Sequence, residues 1–218
     1  VWSLPGDRQT ALVLDALARK DAPYFFFDQH EVLTADIELH AGTRVSGFLK
    51  VGGQRLDLAD VTAAYLRPYE TGKIPSVVRT GAQSTEHQHA VELEDALIGW
   101  SEITPALVVN RLSDMGPNGS KPYQAAMIKA CGFKTPDTLV TTDPEAVWAF
   151  WDQHPGIIYK SISGIRSIVS RLCIEDADQL AKIRWCPTQF QEYVPGDDYR
   201  VHVVGDRIFT TRIVSLAD

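Results

Sequence analysis

The sequence begins with a predicted strand, helix and second strand, and this order restricts the possible folds more than any other feature of the sequence. The apolar stretches "VWSL" and "PYFFFD" flank "DRQTALVLDALARK", in which apolar residues recur at helical spacing. Such a unit places its two strands parallel in one sheet, with a right-handed crossover between them. We therefore predict a parallel sheet, with the run "YFFF" at Tyr24 to Phe27 as a buried strand.

The next hundred residues continue an α/β pattern up to about residue 112. The alternating stretches "DIELHAG", "RVSGFLKV" and "QRLDL" predict antiparallel strands with a hairpin turn at Gly52-Gly53. A strand "AAYLRPYE" then ends at Arg67, and a buried strand "ALVVN" closes the region. Between these two strands a helix is predicted from Thr85 to Trp100, with an inner face made of Ala90, Leu93, Leu97 and Trp100.

From residue 113 the pattern changes to antiparallel strands with covering helices, an α+β arrangement. A polar, glycine-rich loop "SDMGPNGS" leads into the helix "KPYQAAMIKAC", which Gly132 ends. The helix "DPEAVWAFWDQH" has Asp143 as its cap and Pro144 in its first turn. The predicted strands that follow are "GIIYKSI", "SIVSRL", "TQFQEYV" and a final hairpin, "YRVHVVGDRIFTTRIV".

Charge and cysteine usage exclude several classes of protein. The 21 basic and 28 acidic residues give a net charge of −7, which argues against nucleic acid or an acidic membrane as the main partner. No apolar run approaches a membrane span, and no signal-peptide pattern is present. The scattered Cys131, Cys173 and Cys186 predict reduced core thiols. We therefore expect a cytoplasmic protein.

Three familiar site patterns are not met by the sequence. The loop "SLPGDRQT" has one glycine where a dinucleotide-binding GxGxxG needs three, and no GxxxxGK[ST] occurs. In "EHQH", His87 and His89 are two positions apart on a helix and face different directions, whereas zinc requires a spacing of four. A polar helix face is the better interpretation of that segment, and we predict no metal ligands in this chain.

Lys160 is a stronger candidate, because it ends the apolar strand "GIIYK". A lysine delivered by a buried strand calls for an anion nearby. The small residues Ser163 and Gly164 follow it and can turn backbone N–H groups toward phosphate. Lys121 opens a helix and would by itself be a solvated lysine. Likewise, "TQFQEYVPG" is either an ordinary hairpin segment or an open strand end that contacts a nucleotide.

Taken in order, these segments resemble the ATP-grasp family, and its RimK-like ligases most closely. The segments are "SKPYQAAMIKACGFKTPDT", "GIIYKSISG" and "QFQEYVPGDDYRVHVVGDRIF". Lys121 and Lys160 are 39 positions apart, and Lys160 and Glu192 are 32 apart, which is roughly the spacing in that family. The first region resembles the domain that precedes this module. Its shorter stretch "YLRPYE" is similar to ligases that cyclise microviridin-type peptides.

The resemblance implies three domains and a set of site residues. The domains are an N-terminal pre-ATP-grasp α/β domain over 1–112, a central subdomain over 113–188 and the start of a C-terminal subdomain over 189–218. The lysines and the Ser163-Gly164 loop would contact the ATP phosphates, and Arg200 would face the transferred phosphoryl group. The remaining residues would contact the adenine or the nucleoside, and these are Gln191, Glu192, Tyr193, Val194 and Asp198.

The implied activity is ATP-dependent, ADP-forming ligation of a carboxylate to an amine through an acyl phosphate. In the family, acids and an asparagine that follow the "VVGDRIF" hairpin hold Mg²⁺, so we expect the magnesium ligands beyond Asp218. We also expect a C-terminally truncated piece that is inactive alone, from an active parent. A non-catalytic nucleotide-binding regulatory module is the alternative. The sequence does not identify the acid or the amine, and it does not decide between a small molecule and a peptide or protein as substrate. It also does not decide whether the protein forms a homo-oligomer.

Overall fold

The structure is a computed structural model that describes residues 1–42, 45–162 and 168–214, with side chains outside 117–119. The chain divides into two compact units, Val1–Gly116 and Pro117–Asp218. Each unit has a hydrophobic core of its own. Among the described residues, no helix combines the length and apolar character that crossing a bilayer requires.

The first unit contains a parallel sheet and a smaller antiparallel sheet. Its strands are β1 (Trp2–Ser3), β2 (Phe27–Asp28), β3 (Asp36–Ala41), β4 (Val45–Val51), β5 (Gln54–Asp57), β6 (Ala63–Arg67) and β7 (Leu107–Val109). Its helices are α1 (Arg8–Arg19), α2 (Pro75–Thr80) and α3 (Thr85–Ile103), and 3₁₀ turns occupy Gln29–Thr34 and Thr71–Lys73. A further 3₁₀ turn, Ser113–Gly119, spans the point at which the chain passes from the first unit to the second.

The predicted parallel sheet is confirmed. Its strand order is β2-β1-β6-β7, and β1 pairs parallel with both β2 and β6, as β6 does with β7. The antiparallel sheet β3-β4-β5 turns at Gly52 and Gly53, which have φ values of 56° and 75°. Both lie in the left-handed region that a two-residue hairpin turn requires. The predicted inner face of α3 is buried.

Two expectations about buried strands in this unit are wrong. The run "YFFF" contributes only Phe27 to β2, and Tyr24 is 50% exposed. The strand of "ALVVN" is β7, in which Leu107 is 67% exposed. The reason is the same in both cases, because β2 and β7 are the two edges of the parallel sheet and each has a neighbour on one side only.

The second unit is built on an antiparallel sheet. Its helices are α4 (Lys121–Ala130), α5 (Pro144–Trp151) and α6 (Ala177–Leu180), with 3₁₀ turns at Ile174–Asp176 and Ala181–Trp185. Its strands are β8 (Thr138–Thr141), β9 (Ile157–Ser161), β10 (Ser170–Arg171), β11 (Thr188–Glu192), β12 (Asp198–Val204) and β13 (Arg207–Ile213). The sheet order is β10-β9-β11-β8, and β12-β13 is a separate hairpin.

The sequence predictions for the helix ends of this unit are confirmed. Asp143 caps α5 by accepting from the N–H of Glu145, and Gly132 follows α4 with φ +83°. The core under the sheet consists of Val147, Ile157, Leu172, Leu180, Ile183 and Phe190. Two expectations fail: in the described part of "SIVSRL", residues 168–172, only Ser170–Arg171 form a strand, and all three cysteines are exposed rather than core thiols.

Candidate functional site

Strands β9 and β11 bring together two of the predicted site residues, Lys160 and Gln191. The strands pair antiparallel, with Gln189 opposite Lys160 and Gln191 opposite Ile158. Side chains two residues apart on a strand share a face, so Lys160, Gln189 and Gln191 share one face of the sheet. The Lys160 ammonium donates a hydrogen bond of 3.1 Å to Oε1 of Gln191.

A charged ammonium is energetically unfavourable at the position of Lys160. The residue is half-buried, and burial lowers the pKa of Lys160 below its ordinary value. The positive charge of Lys121, the first residue of α4, lowers it further. A half-buried ammonium with a second cation nearby favours binding of an anion, because an anion stabilises the charged form of Lys160.

The amide of Gln191 connects β9 to β8. Its Nε2 donates to Oγ1 of Thr138 at 3.0 Å, and that hydroxyl donates to the carbonyl of Pro136 at 3.0 Å. Thr138 lies opposite Gln191 in the ladder between β11 and β8. Thr138 was not among the predicted site residues, because its place beside Gln191 depends on strand register, which the sequence does not reveal.

Glu192 projects from the other face of β11. Its Oε2 accepts from the N–H of Asp137 at 3.2 Å, and Asp137, His154 and Glu192 place ligand atoms within 4.8 Å of one another. Nδ1 of His154 lies 2.8 Å from the carbonyl of Phe150, and Nε2 lies 3.4 Å from Oδ2 of Asp137. The carbonyl of Phe150, followed by the two carboxylates, raises the pKa of His154 against the opposing effect of burial.

At the end of β11, some backbone N–H groups already donate hydrogen bonds within the protein. The N–H of Glu192 donates to the carbonyl of Asp137, and that of Tyr193 donates to the carbonyl of Gly156, both at 2.9 Å. The guanidinium of Arg171 stacks 4.8 Å from the centre of the Tyr193 ring. In the described part of the chain, the N–H of Val194 donates to no backbone carbonyl. Val194 is thus the strand-end residue whose N–H is open to a ligand.

The other predicted site residues lie on the hairpin or outside the described residues. Asp198 begins β12, and Arg200 shares its face two positions on. Both are exposed, and neither has a side-chain hydrogen bond to any residue that the structure describes. Arg212 of β13 forms an ion pair of 2.9 Å with Asp197. Ser163 and Gly164 fall outside the described residues.

A large cleft lies elsewhere, in the first unit. It has a volume of about 620 Å³ and is mainly apolar, with lining residues that include Leu17, Phe25, Leu56, Tyr65 and Trp100. None of the predicted site residues lines it. The apolar cleft and the polar candidate residues are therefore separate features of the chain.

The similarities of this chain to known proteins lie among solved structures. A scan against models of protein families gives no match. A search of curated proteins gives none either. Among solved structures, macrocyclase MdnC from Microcystis aeruginosa, bound to precursor peptide MdnA, has 24% identity and a TM-score of 0.78, over 98% of this chain and 74% of that one.

Two further solved structures are similar over nearly the whole chain. A peptide-associated ATP-grasp ligase from Chryseobacterium gregarium, in complex with ADP and a leader and core peptide, has a TM-score of 0.81 at 19% identity. It is matched over 100% of this chain and 69% of that one. ATP-grasp ligase PsnB, complexed with precursor peptide PsnA2 and AMPPNP, has 26% identity and a TM-score of 0.75, over 98% and 71%.

Proposed function

We propose that this protein, which has the predicted ATP-grasp fold, binds ATP and joins a carboxylate to an amine. The observation that carries this proposal is the ammonium of Lys160, half-buried at the penultimate position of β9, with the positive charge of Lys121 nearby. Such a pair suits the phosphates of a nucleotide better than it suits water. The identity of 26% to the ATP-grasp ligase PsnB, complexed with AMPPNP, supports the same choice of ligand.

The remaining contacts to ATP are assigned by position. The open N–H of Val194 would bind the adenine edge, since Glu192 and Tyr193 have already used theirs. Asp198 would accept from the ribose hydroxyls, and Ser163 and Gly164 would bind phosphate oxygens. Gln191 contributes through its side chain on the Lys160 face. Glu192 would lie near the nucleoside, with its carboxylate held by the N–H of Asp137.

Mg²⁺ accompanies ADP in two PsnB structures, so a place that fits this ion is of interest among the described residues. They offer one cluster of potential ligands, formed by Asp137, His154 and Glu192. Mg²⁺ prefers oxygen ligands and commonly binds through carboxylates, water and substrate phosphates, whereas this cluster includes an imidazole. It also lies on the other face of β11 from Gln191. The cluster does not fit that ion, and magnesium ligands beyond Asp218 stay a prediction.

The proposed reaction needs positive charge more than it needs a nucleophilic side chain. An oxygen of the substrate carboxylate forms a bond to the γ-phosphorus, the bond from that phosphorus to the β–γ bridging oxygen breaks, and ADP leaves. The amine then attacks the acyl phosphate, loses a proton and displaces phosphate. Lys121 and Lys160 would hold the phosphates in line, and Arg200 would stabilise charge on the transferred phosphoryl group.

A peptide is the substrate class that we propose. MdnC is bound with a precursor peptide, the ligase from Chryseobacterium gregarium with a leader and core peptide, and PsnB with a precursor peptide. Peptide side chains supply both groups of the reaction, as carboxylates of Asp or Glu and as the amine of Lys.

The test is ATP binding by calorimetry, followed by product analysis with peptides that carry both carboxylate and amine side chains. We expect ATP to bind and ADP and phosphate to appear only when a peptide is present. Release of AMP and pyrophosphate would contradict the acyl-phosphate chemistry. ATP binding without turnover, for any peptide supplied, would favour the non-catalytic nucleotide-binding module instead.

A further inference from the structure

The amide of Gln191 lies between a cation and a hydroxyl, and only one orientation of that amide fits. A lysine ammonium has donors and no acceptor, so Oε1 of Gln191 must be the atom that faces Lys160 at 3.1 Å. Nε2 then faces Oγ1 of Thr138 at 3.0 Å. Because the Thr138 hydroxyl donates its proton to Pro136, its oxygen is free to accept from Gln191.

We propose that Gln191 is a positioning residue whose amide, anchored on Thr138, holds the Lys160 ammonium ready for the phosphates of ATP. This inference rests on the proposed function. A lysine side chain has four rotatable bonds and would sample many positions without a fixed acceptor. A neutral acceptor is suited to this task, since it orients the ammonium and leaves its charge available. A carboxylate in the same place would pair with the ammonium and compete with phosphate.

Gln189 provides a matched control on the same strand and the same face. It lies directly opposite Lys160 in the ladder and is buried, yet Lys160 donates to Gln191 instead. Among the described residues, Oε1 of Gln189 has no hydrogen-bond partner. Methionine has nearly the same length as glutamine and lacks the amide, so Gln191→Met and Gln189→Met remove equivalent groups two residues apart.

The experiment is a double-mutant cycle on ATP affinity, measured by calorimetry. The proteins are the wild type, Gln191→Met, Lys160→Met and the double variant, with Gln189→Met as the control. We expect Gln191→Met to weaken ATP binding about tenfold when Lys160 is present and less than about twofold when it is replaced. Gln189→Met should change ATP affinity by less than about twofold, because Lys160 makes no bond to it.

A second measurement follows Lys160 without any nucleotide. The exchange of its ammonium protons with water, observed by nitrogen NMR, should become faster in Gln191→Met and stay unchanged in Gln189→Met. Thr138→Val removes the anchor and leaves Gln191 in place, so we expect an intermediate exchange rate. Amide spectra of each variant check that the second unit remains folded.

The outcomes separate the two proposals. If Gln191→Met weakens ATP binding equally with and without Lys160, Gln191 has a structural role only and the inference is overturned. If Lys160→Met weakens ATP binding and Gln191→Met does not, the inference fails and the proposed function stands. If the wild-type protein does not bind ATP, the proposed function fails and the positioning role fails with it.

Discussion

The proposed site residues lie in two regions of the second unit that differ in how firmly their side chains are held. On the sheet, Lys160, Gln191 and Glu192 are half-buried, and each has a hydrogen-bond partner in the sheet or beside it. On the hairpin, Asp198 and Arg200 are exposed and have no side-chain partner within the described part of the chain. Register fixes the first group before any ligand arrives, whereas the second group is free to adjust to one.

The same difference holds for the packing beneath the side chains. The sheet covers an apolar core in which Ile157 and Phe190 are almost fully buried. The hairpin β12-β13 is a two-stranded ladder with every residue of both strands exposed. Two-stranded hairpins are marginally stable by themselves in water. We therefore expect substitutions on the sheet to change global stability and substitutions on the hairpin to act locally.

The largest effect is expected at the core of the sheet. Phe190→Ala removes a buried ring that lies 6.2 Å from the ring of Tyr159, and should lower the free energy of unfolding of the second unit by about 3–5 kcal/mol. Val203→Ala, at a hairpin residue that is 66% exposed, should change it by less than about 0.5 kcal/mol. Urea unfolding, followed on amide signals of β9, measures both. Equal losses of unfolding free energy in the two variants would contradict the expected difference between the sheet and the hairpin.

The second-largest effect is expected on the affinity for ATP. Lys160→Met keeps the apolar stem and removes the cation, so ATP affinity should fall by about 2 kcal/mol, roughly thirtyfold. Without nucleotide the variant should melt at an unchanged or slightly higher temperature, because burial and Lys121 disfavour the charged ammonium. Calorimetric titration and melting curves without nucleotide provide the two measurements.

Arg200→Ala is the matched change on the hairpin. An exposed arginine that acts mainly on the transferred phosphoryl group should leave ATP affinity within about threefold and lower kcat much more. Similar affinity losses for the two variants would show that the hairpin cation holds ground-state ATP as firmly as the sheet cation. An unchanged kcat for Arg200→Ala would remove it from the proposed catalytic residues.

The sequence predicts those features of the fold that depend on neighbours along the chain. The inner face of α3, the cap at Asp143 and the turn at Gly52-Gly53 follow from helical spacing and from conformations that particular residues favour. Apolar runs alone gave wrong predictions of burial, because the run "YFFF" does not reveal that its strand lies at the edge of the sheet. The short helix Pro75–Thr80 has too few residues to produce a clear apolar periodicity.

For the site, the sequence supplies residue types and the structure supplies partners. Lys160 was identified because a lysine ends an apolar strand. Its partner Gln191 is 31 residues away, and only the register of β9 against β11 brings the two together. Alternation along β11 could have separated the side chains of Gln191 and Glu192 in advance. The cluster of Glu192 with Asp137 and His154 depends on where α5 ends, which no local pattern reveals.

A smaller effect is expected at the turn of the hairpin. Gly205 has φ +60°, and a Cβ added there would meet no atom within 4 Å. Gly205→Ala should therefore cost about 1–2 kcal/mol through backbone strain alone. Because the hairpin is exposed, the loss should appear as faster amide exchange within β12-β13 and should leave β9 and β11 unchanged. Gly6→Ala, at an equally open position without a positive φ, is the control.

The smallest effect should appear at the sheet end that carries Glu192, as a dependence of stability on pH. The pKa of His154 is raised in the folded protein, chiefly by the carbonyl of Phe150 and then by Asp137 and Glu192. A raised pKa means that the folded state binds the proton more tightly than the unfolded state, whose histidine pKa is about 6.5. The stabilisation is complete below that value and is lost as the pH rises through the folded pKa. His154→Gln should flatten this dependence in urea unfolding of the second unit. A His154→Gln protein that loses stability with rising pH as steeply as the wild type would show that Asp137 and Glu192 do not hold a protonated imidazole.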